Sequence, residues 1–535
     1  MLSHERVGSA GRASPEPRDG RRRPSRRALD IAIPLVLGGC WLIVIVTHLP
    51  LPYPSDQLNY LNAANAFPHA FPHPDALHQV TRFGLVIPVR LATYAFGTTE
   101  AAYHVVPILG TGAVLAGTYA LGTLLFSRVV GAAAAAVVIT AAPLFQDSAA
   151  LLPDVTATGL FTVAVALAVA VRKGRLSDRP WALILIGLLM AWSYTVREFI
   201  VFAWPLVPIL LWRRVRLRGL VWMVAPMLLV GVGELLLCWG LYGSPLARVH
   251  AVLTQKPNPN IGYAGRSRLA YLVQLPLAVK KQVGVWLAVL LCAIPLGALA
   301  WPRRMAVPVL WCALIWVPLT IEGGLLHPGD PSLRLELVRY WFPLFPALAI
   351  GGVAALWMAA TWLAARFRTN RLVRALPAVV VVVIAAGAVV SSVGHSWRDP
   401  LLTASVNGRA QLGAFRTWMH VHDAAPRTRT VWTDSRSDSV AEMYRRGPFG
   451  GIAWHAALRP LEKSGPRPIP GDLVLFFDAG VGDAGPLSDA RACTVCRRAA
   501  REAWGTPPRP APTWRPAFAT ADGVVRVYRV GPAAR

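Results

Sequence analysis

Residues 151–171 read LLPDVTATGLFTVAVALAVAV, an acid at a proline-marked turn followed by seventeen residues without a charge. A helix that crosses a bilayer needs roughly 20 mainly apolar residues, and a run of this kind is the signature of one. The pattern recurs along the chain. Working outward from it, we expect about eleven spans, at 31–49, 103–126, 129–146, 155–171, 180–196, 199–212, 219–241, 282–301, 305–321, 340–365 and 375–394. The span at 199–212 is short, and Glu234 interrupts 219–241. With 55% hydrophobic and only 15% charged residues, the composition excludes an ordinary soluble enzyme.

The net charge of +27 raises the question of nucleic acid, but the cations flank apolar spans rather than forming a binding face. No nucleic-acid partner is expected. If the Arg-, Pro- and Ser-rich residues 1–29 form a disordered cytoplasmic tail, the inward connections carry fifteen Lys or Arg against one acid, Asp178. The outward connections before residue 395 hold eleven Lys or Arg against nine acids, so carboxylates gather outside. Span 31–49 lacks a small-residue cleavage site and reads as an uncleaved anchor. This scheme expects a multi-pass protein of the plasma membrane whose N-terminus is cytoplasmic.

Residues 79–97, QVTRFGLVIPVRLATYAFG, are apolar but interrupted by Arg82 and Arg90. Counting them as a crossing would put the later Arg clusters outside. We therefore expect a helix along the outer interface, with Arg82 and Arg90 snorkelling and Phe83, Leu85, Ile87 and Leu91 in lipid. From residue 395 the composition becomes that of a soluble fold, with a helical pattern from 408 and strand patterns ending at Asp434, from 471 and from 523. The expected architecture is mainly α: a disordered tail at 1–29, a transmembrane helical bundle at 30–394 with a long first outer loop at 50–102, and a small extracytoplasmic α/β domain at 395–535.

Candidate chemistry lies in the outer connections. YPSDQLNYLNAANAF places Asp56 just beyond the first span and Tyr60 one helical turn on. An acid at the water interface can serve as a base when partly desolvated, and the plainer alternative is a solvated helix cap. FQDSAALLPDVTATGLF brings Asp147 and Asp154 to the same side, again with a capping alternative for Asp154. Arg197 and Glu198 occupy a connection too short to leave the membrane boundary, so they face a polar cavity, each other, or solvent by snorkelling. HPGDPSLRLELVRYWFPLFPALA sets Arg334 and Arg339 before a span that Tyr340 and Trp341 open. Guanidinium groups suit phosphate, and Lys280 and Lys281 from the basic loop 242–281 could complete a cationic collar for an anionic lipid; attachment to ordinary anionic headgroups is the alternative. His78 and Arg82 are further candidates on the acceptor side. Cys493 and Cys496 have C-x-x-C spacing; a local disulfide is the plain reading, without the further ligands a zinc site needs.

The order of these features over roughly residues 30–365 resembles that of the GT-C fold membrane glycosyltransferases, especially the dolichyl-phosphate-mannose protein mannosyltransferase superfamily and its bacterial relatives that add sugars or aminoarabinose to lipids. In that resemblance Asp56 matches the acid of the first outer loop, and Asp154, better than Asp147, matches a second acid. Arg197 and Glu198 match a basic–acidic pair at an outer helix boundary, and Arg339, Tyr340, Pro343 and Pro346 an Arg-Tyr opening with spaced prolines. Many relatives carry two adjacent acids in the first loop, whereas Gln57 follows Asp56 here, so a divalent metal is not expected to be required.

The resemblance implies transfer of a sugar from a polyprenyl-phosphate donor to a hydroxyl of an envelope glycan, lipid or protein, with inversion at the anomeric carbon. Asp56 and Asp154 would be the catalytic acids. Arg197, Glu198, Arg334, Arg339, Tyr340, Tyr60, Lys280, Lys281, His78 and Arg82 would bind donor or acceptor. The competing expectation is a non-enzymatic transporter or flippase of lipid-linked sugars, or an assembly component.

Overall fold

The computed structural model describes residues 26–47, 49, 56–71, 77–97, 99–176, 179–254, 265–274, 285–331, 338–366, 371–397, 413–422, 430–434, 456–461, 466–477, 510–521, 523 and 525–532. Arg334, Lys280, Lys281, Cys493, Cys496 and residues 1–25 lie outside the described residues.

Helices dominate. The first is α1 (Arg26–Thr47), and α2 (Asp56–Ala66), α3 (Leu77–Val80) and α4 (Phe83–Phe96) follow in the stretch expected as the long outer loop. Next come α5 (Glu100–Leu125), α6 (Arg128–Thr140), α7 (Ala142–Asp147), α8 (Pro153–Arg172) and α9 (Pro180–Val196). A 3-10 turn (Glu198–Ala203) leads into α10 (Leu206–Leu211), α11 (Leu217–Tyr242), α12 (Ala247–Thr254) and α13 (Arg268–Leu272). The series continues with α14 (Val285–Ala300), α15 (Pro302–Thr320), a 3-10 turn (Val338–Leu344), α16 (Phe345–Arg366) and α17 (Arg371–Trp397). Every expected span is thus largely helical where it is described. Two are broken: Ala141 separates α6 from α7, and the segment after Glu198 starts as 3-10 before Pro205 admits α10.

Among the described residues, five helical segments are long and apolar enough to cross a membrane: Glu100–Leu125, Pro153–Arg172, Leu217–Tyr242, Pro302–Leu325 and Val338–Arg366. Their burial differs in an informative way. α8 is inside the bundle almost throughout, whereas α11 presents Leu217, Val221, Leu228, Leu229, Leu236 and Trp239 outward. In water such a face would drive aggregation; against acyl chains it needs no cover.

α5 and α8 form a central pair by close backbone approach. A Cβ on Gly159 would collide with the carbonyl oxygen of Gly110, and one on Gly110 would meet Thr156 at 2.7 Å. Between membrane helices apolar burial gives little driving force, so small residues that let backbones touch supply the packing. Thr158 and Thr162 return their hydroxyls to carbonyls one turn back and so bring no unpaired hydroxyl of their own into the contact.

One feature of the first outer loop differs from expectation. Phe83 and Leu85 are buried in protein rather than set in lipid, Arg82 is buried rather than snorkelling, and only Leu91 of the four apolar residues is well exposed. The reason is local. Gly84 rests on Thr195 and Val196, and Trp192 Nε1 donates to the Gly84 carbonyl at 3.1 Å, so the start of α4 is held against the end of α9.

Beyond α17 a helix at 413–422 accompanies a five-stranded sheet of order β2-β1-β3-β5-β4, formed by β1 (Thr430–Asp434), β2 (Ala457–Leu461), β3 (Leu473–Phe477), β4 (Trp514–Ala519) and β5 (Val525–Val530). β1 pairs in parallel with β2 and β3, while β5 runs antiparallel to β3 and β4. Phe415, Met419, Val431, Leu473 and Val527 belong to one buried apolar cluster with Tyr60, Leu61, Val86, Tyr103 and Val196. The sheet therefore caps the end of the bundle that carries α2 and α4.

Alanine in place of glycine ordinarily favours a helix interior by about 1 kcal/mol. At the α5–α8 crossing the opposite is expected: Gly159→Val should destabilise the protein by about 1–3 kcal/mol through overpacking, read as a lower thermal midpoint in detergent. A midpoint equal to or above that of the native protein would refute the close approach.

Candidate functional site

The connections expected on the outer side converge on one cluster. Asp56 and Tyr60 lie one turn apart on α2, and Arg82 immediately precedes α4. Asp154 stands in the first turn of α8 behind Pro153, and Arg197 is a single extended residue between α9 and the 3-10 turn that Glu198 begins. Arg339 and Tyr340 come from the 3-10 turn before α16.

Two ion pairs face each other across Tyr340. Arg339 Nη2 donates to Asp56 Oδ2 at 3.2 Å, joining residues 283 positions apart in the chain. The other carboxylate oxygen of Asp56 accepts from Gln79 Nε2 at 2.9 Å, and Asn59 holds Gln79 in turn. Arg197 Nε lies 3.0 Å from Asp154 Oδ1. The Arg197 guanidinium carbon sits 4.7 Å from the Phe199 ring centre and 5.0 Å from that of Tyr340, whose ring centre is 5.6 Å from the guanidinium carbon of Arg339. Tyr340 thereby couples the two pairs through cation–π contacts.

A second network supports the first from behind. Arg82 grips Glu198 with two hydrogen bonds of 3.1 Å and also donates to the Tyr60 hydroxyl. Arg248, from α12, reaches Glu198 Oε1 at 3.0 Å, pairs with Glu234 inside α11, and caps the end of α9 by donating to the Tyr194 and Thr195 carbonyls. Removing one partner of such a buried pair leaves its charge uncompensated, at a cost of about 3–5 kcal/mol. The alternation of charges is thus a structural requirement as well as a chemical opportunity.

The pairs differ in access. The Asp154 and Arg197 side chains are 3% and 8% exposed, and Arg82 and Arg248 are 5% and 4% exposed. Asp56 and Arg339 are 31% and 24% exposed, so theirs is the pair that an incoming ligand can reach. Arg339 also keeps its Nε–H buried with no acceptor among the described residues. A buried donor without a partner is a standing invitation to an anion.

Electrostatics follow this arrangement. Burial pushes the Asp56 carboxyl up, but the charges of Arg339, Arg82, Arg197 and His78 together outweigh it and hold the group below its ordinary value. Burial raises the Tyr60 hydroxyl to about 12, against the pull of Arg82, so it stays protonated. Asp147, at the end of α7, is different: burial pushes it up to about 7, with Arg339 pulling down and Asp154 adding to the rise. Tyr103, whose hydroxyl accepts from the Leu151 backbone at 3.2 Å, and His104, bonded to the Ala149 carbonyl, fix the turn between Asp147 and Asp154.

The structure therefore brings together Asp56, Tyr60, Arg82, Asp154, Arg197, Glu198, Arg339 and Tyr340, with His78 close enough to act on Asp56. Arg197 and Glu198 do not face each other; the extended residue between two helices turns them to different partners. Sequence reasoning missed Arg248, Glu234 and Gln79 as members. For Glu234 the signal was present, since a charge inside a span requires a partner, and the basic loop 242–281 held it. Gln79 carries no such signal. Among the described residues no three His, Cys, Asp or Glu side chains converge as a ligand set for a metal ion.

This helical bundle with an ionic cluster at one end has the GT-C fold anticipated from the order of motifs. The chain matches ArnT from Cupriavidus metallidurans, an aminoarabinose transferase, both in its apo state and bound to undecaprenyl phosphate. In each case the identity is 14%, the TM-score is 0.53, and the match covers 95% of this chain and 99% of that one. A looser likeness, at a TM-score of 0.48 and 11% identity, links it to the apo oligosaccharyltransferase of Archaeoglobus fulgidus, covering 81% of this chain and 64% of that one. No protein-family model and no curated protein sequence matches the chain.

The two acids predict different pH behaviour. A carboxyl raised from 3.8 to about 7 in the folded state binds a proton that the unfolded chain has lost, so its contribution makes stability fall as pH rises from about 4 to 7. Asp56, being lowered, contributes stability that is lost only as pH falls below the ordinary carboxylate range. Thermal midpoints in detergent should therefore fall between pH 5 and pH 7.5 by less in Asp147→Asn than in the native protein, with the midpoint of the variant the higher at pH 7.5. Parallel profiles would contradict the assignment.

Proposed function

We propose that the protein is a membrane glycosyltransferase that moves a sugar from a polyprenyl-phosphate carrier to an acceptor hydroxyl at the outer face of the membrane. The observation that carries this reading is the Asp56–Arg339 pair. A base and a phosphate-binding cation meet at the most open pair of the ionic cluster among the described residues. The fold shared with ArnT, whose structure has been determined with undecaprenyl phosphate, supports a lipid-phosphate donor.

In the reaction proposed, the carrier chain lies in the bilayer and its phosphate binds Arg339 through Nε and Nη2, displacing Asp56. We assign Arg334, Lys280 and Lys281, which lie outside the described residues, to the same phosphate-binding group on their sequence positions. Releasing Asp56 from Arg339 removes the strongest charge holding its carboxylate acidic, so burial then raises its basicity. Asp56 takes the proton of the acceptor hydroxyl as the oxygen attacks the anomeric carbon. The bond from that carbon to the phosphate oxygen breaks, its electron pair stays on the phosphate, and free polyprenyl phosphate leaves. One displacement inverts the anomeric centre. Charge develops on the phosphate during the step, and a fixed guanidinium there contributes most in a water-poor site. Asp154 holds Arg197 against Tyr340 and so keeps Arg339 aimed; Glu198, Arg82 and Tyr60 brace α2.

The sheet packs into the same apolar cluster as Tyr60 and Tyr103, which supports placing residues 395–535 on the outer side as an extracytoplasmic domain. On the same reading the N-terminus is cytoplasmic, the membrane is the plasma membrane and the acceptor is an envelope glycan, lipid or protein.

Asp56→Asn should lower sugar transfer from a lipid-linked donor by about 10²- to 10⁴-fold, the usual worth of a general base. Arg339→Ala should lower it by at least about 10²-fold, the scale of one electrostatic donor. Both are assayed with purified protein and checked for an unchanged thermal midpoint within a few degrees. Full activity in both variants would remove this mechanism.

A further inference from the structure

The end of the bundle remote from Asp56 contains a cavity of about 490 Å³ with four cations on its lining. Asp154 opens α8 and Arg172 closes it, so helical rise separates the two by about 27 Å. The cavity is therefore separate from the ionic cluster. Arg172 and Lys173 reach it from the end of α8, and Arg303 and Arg304 from the first turn of α15. Its volume lies within the roughly 300–1,000 Å³ of small-molecule sites.

The cations do not all have the same task. Lys173 donates to the Leu124 carbonyl and so satisfies the last turn of α5. Arg172, Arg303 and Arg304 are exposed, and among the described residues no carboxylate pairs with them. Three guanidinium groups around one cavity repel each other. Two of them also stand in the first turn of a helix, where the positive end of the dipole disfavours cations and no acid offsets them. Below them the wall turns apolar, with Phe126, Leu210, Val307, Trp357 and Met358.

We propose that this cavity binds the phosphate headgroup of an anionic membrane lipid. The guanidinium forks of Arg172, Arg303 and Arg304 match phosphate oxygens, and the Phe126, Trp357 and Met358 wall takes the start of an acyl chain. A soluble phosphate compound shares the headgroup chemistry but leaves that wall in contact with water. The lipid neutralises the like-charged ends of α8 and α15 and lies against the apolar side chains that the end of α5 and the middle of α16 bring to the same cavity.

The test uses the full chain in a non-ionic detergent, titrated with phosphatidylglycerol, phosphatidylcholine or inorganic phosphate, with the thermal midpoint and native mass spectrometry as readouts. Phosphatidylglycerol is expected to raise the midpoint by several degrees and to remain bound in the mass spectrum, where phosphatidylcholine and inorganic phosphate do neither. Arg303→Gln/Arg304→Gln should weaken phosphatidylglycerol binding by about tenfold or more, as the loss of two charge-assisted contacts requires. Arg214→Gln/Arg218→Gln, exposed outside the cavity lining, should bind as the native protein does. Where the first double variant is not recovered folded, Arg172→Gln reports on the same site. Three results would overturn the proposal: undiminished binding in the cavity variants, an equal loss in Arg214→Gln/Arg218→Gln, or a midpoint shift reproduced by inorganic phosphate alone.

Discussion

A guanidinium or carboxylate out of water must have its counter-charge within reach, because the low dielectric that makes the pair strong makes the isolated charge prohibitive. The end of this bundle that carries α2 and α4 is organised by that constraint. Arg339 answers Asp56, Arg197 answers Asp154, and Arg82 and Arg248 share Glu198, with Glu234 completing the set. Apart from Arg248–Glu234, each pair joins segments far apart in the chain, so α2, the start of α4, the start of α8, the α9 break, α12 and the turn before α16 hold one another in place.

A closed ionic lattice of this kind would be inert. What suits it to the proposed role is its graded exposure: the deeper pairs are at most 15% exposed, and the Asp56–Arg339 pair is about a quarter to a third open. Rigidity behind and access in front are what electrostatic preorganisation requires, since donors already aimed need no reorganisation when charge develops. The same geometry bears on a transport role. Glu234, the acid well inside a span, is paired with Arg248, whereas transporters keep their ionisable groups near mid-membrane at the substrate.

Much of the fold was legible because a bilayer imposes a simple pattern. Charge-free runs of about 20 residues mark helices almost without regard to tertiary context. The legible part of the site was that carried by chemistry at span boundaries: Asp56, Asp154, Arg197, Glu198 and Arg339 stand out as charges where charge is costly. What was not legible depended on side-chain direction. Arg82 looked like a snorkelling residue because its partner, Glu198, lies 116 positions away. Phe83 and Leu85 looked lipid-facing because nothing local reveals that Gly84 lets α4 lie on the end of α9. The β2 and β4 strands escaped notice because ALRPL and WRPAFA each carry a proline, which weakens a strand pattern, and both lie at the sheet edges where proline is tolerated.

The central claim is that this cluster cleaves the carrier–sugar bond at one face of the membrane. It is tested most directly by following a radiolabelled polyprenyl-phosphate sugar in vesicles containing the purified protein and an acceptor. The account predicts one free polyprenyl phosphate released for each glycoside formed, with the anomeric configuration inverted. Movement of the intact donor between leaflets, with no carrier released, would contradict it.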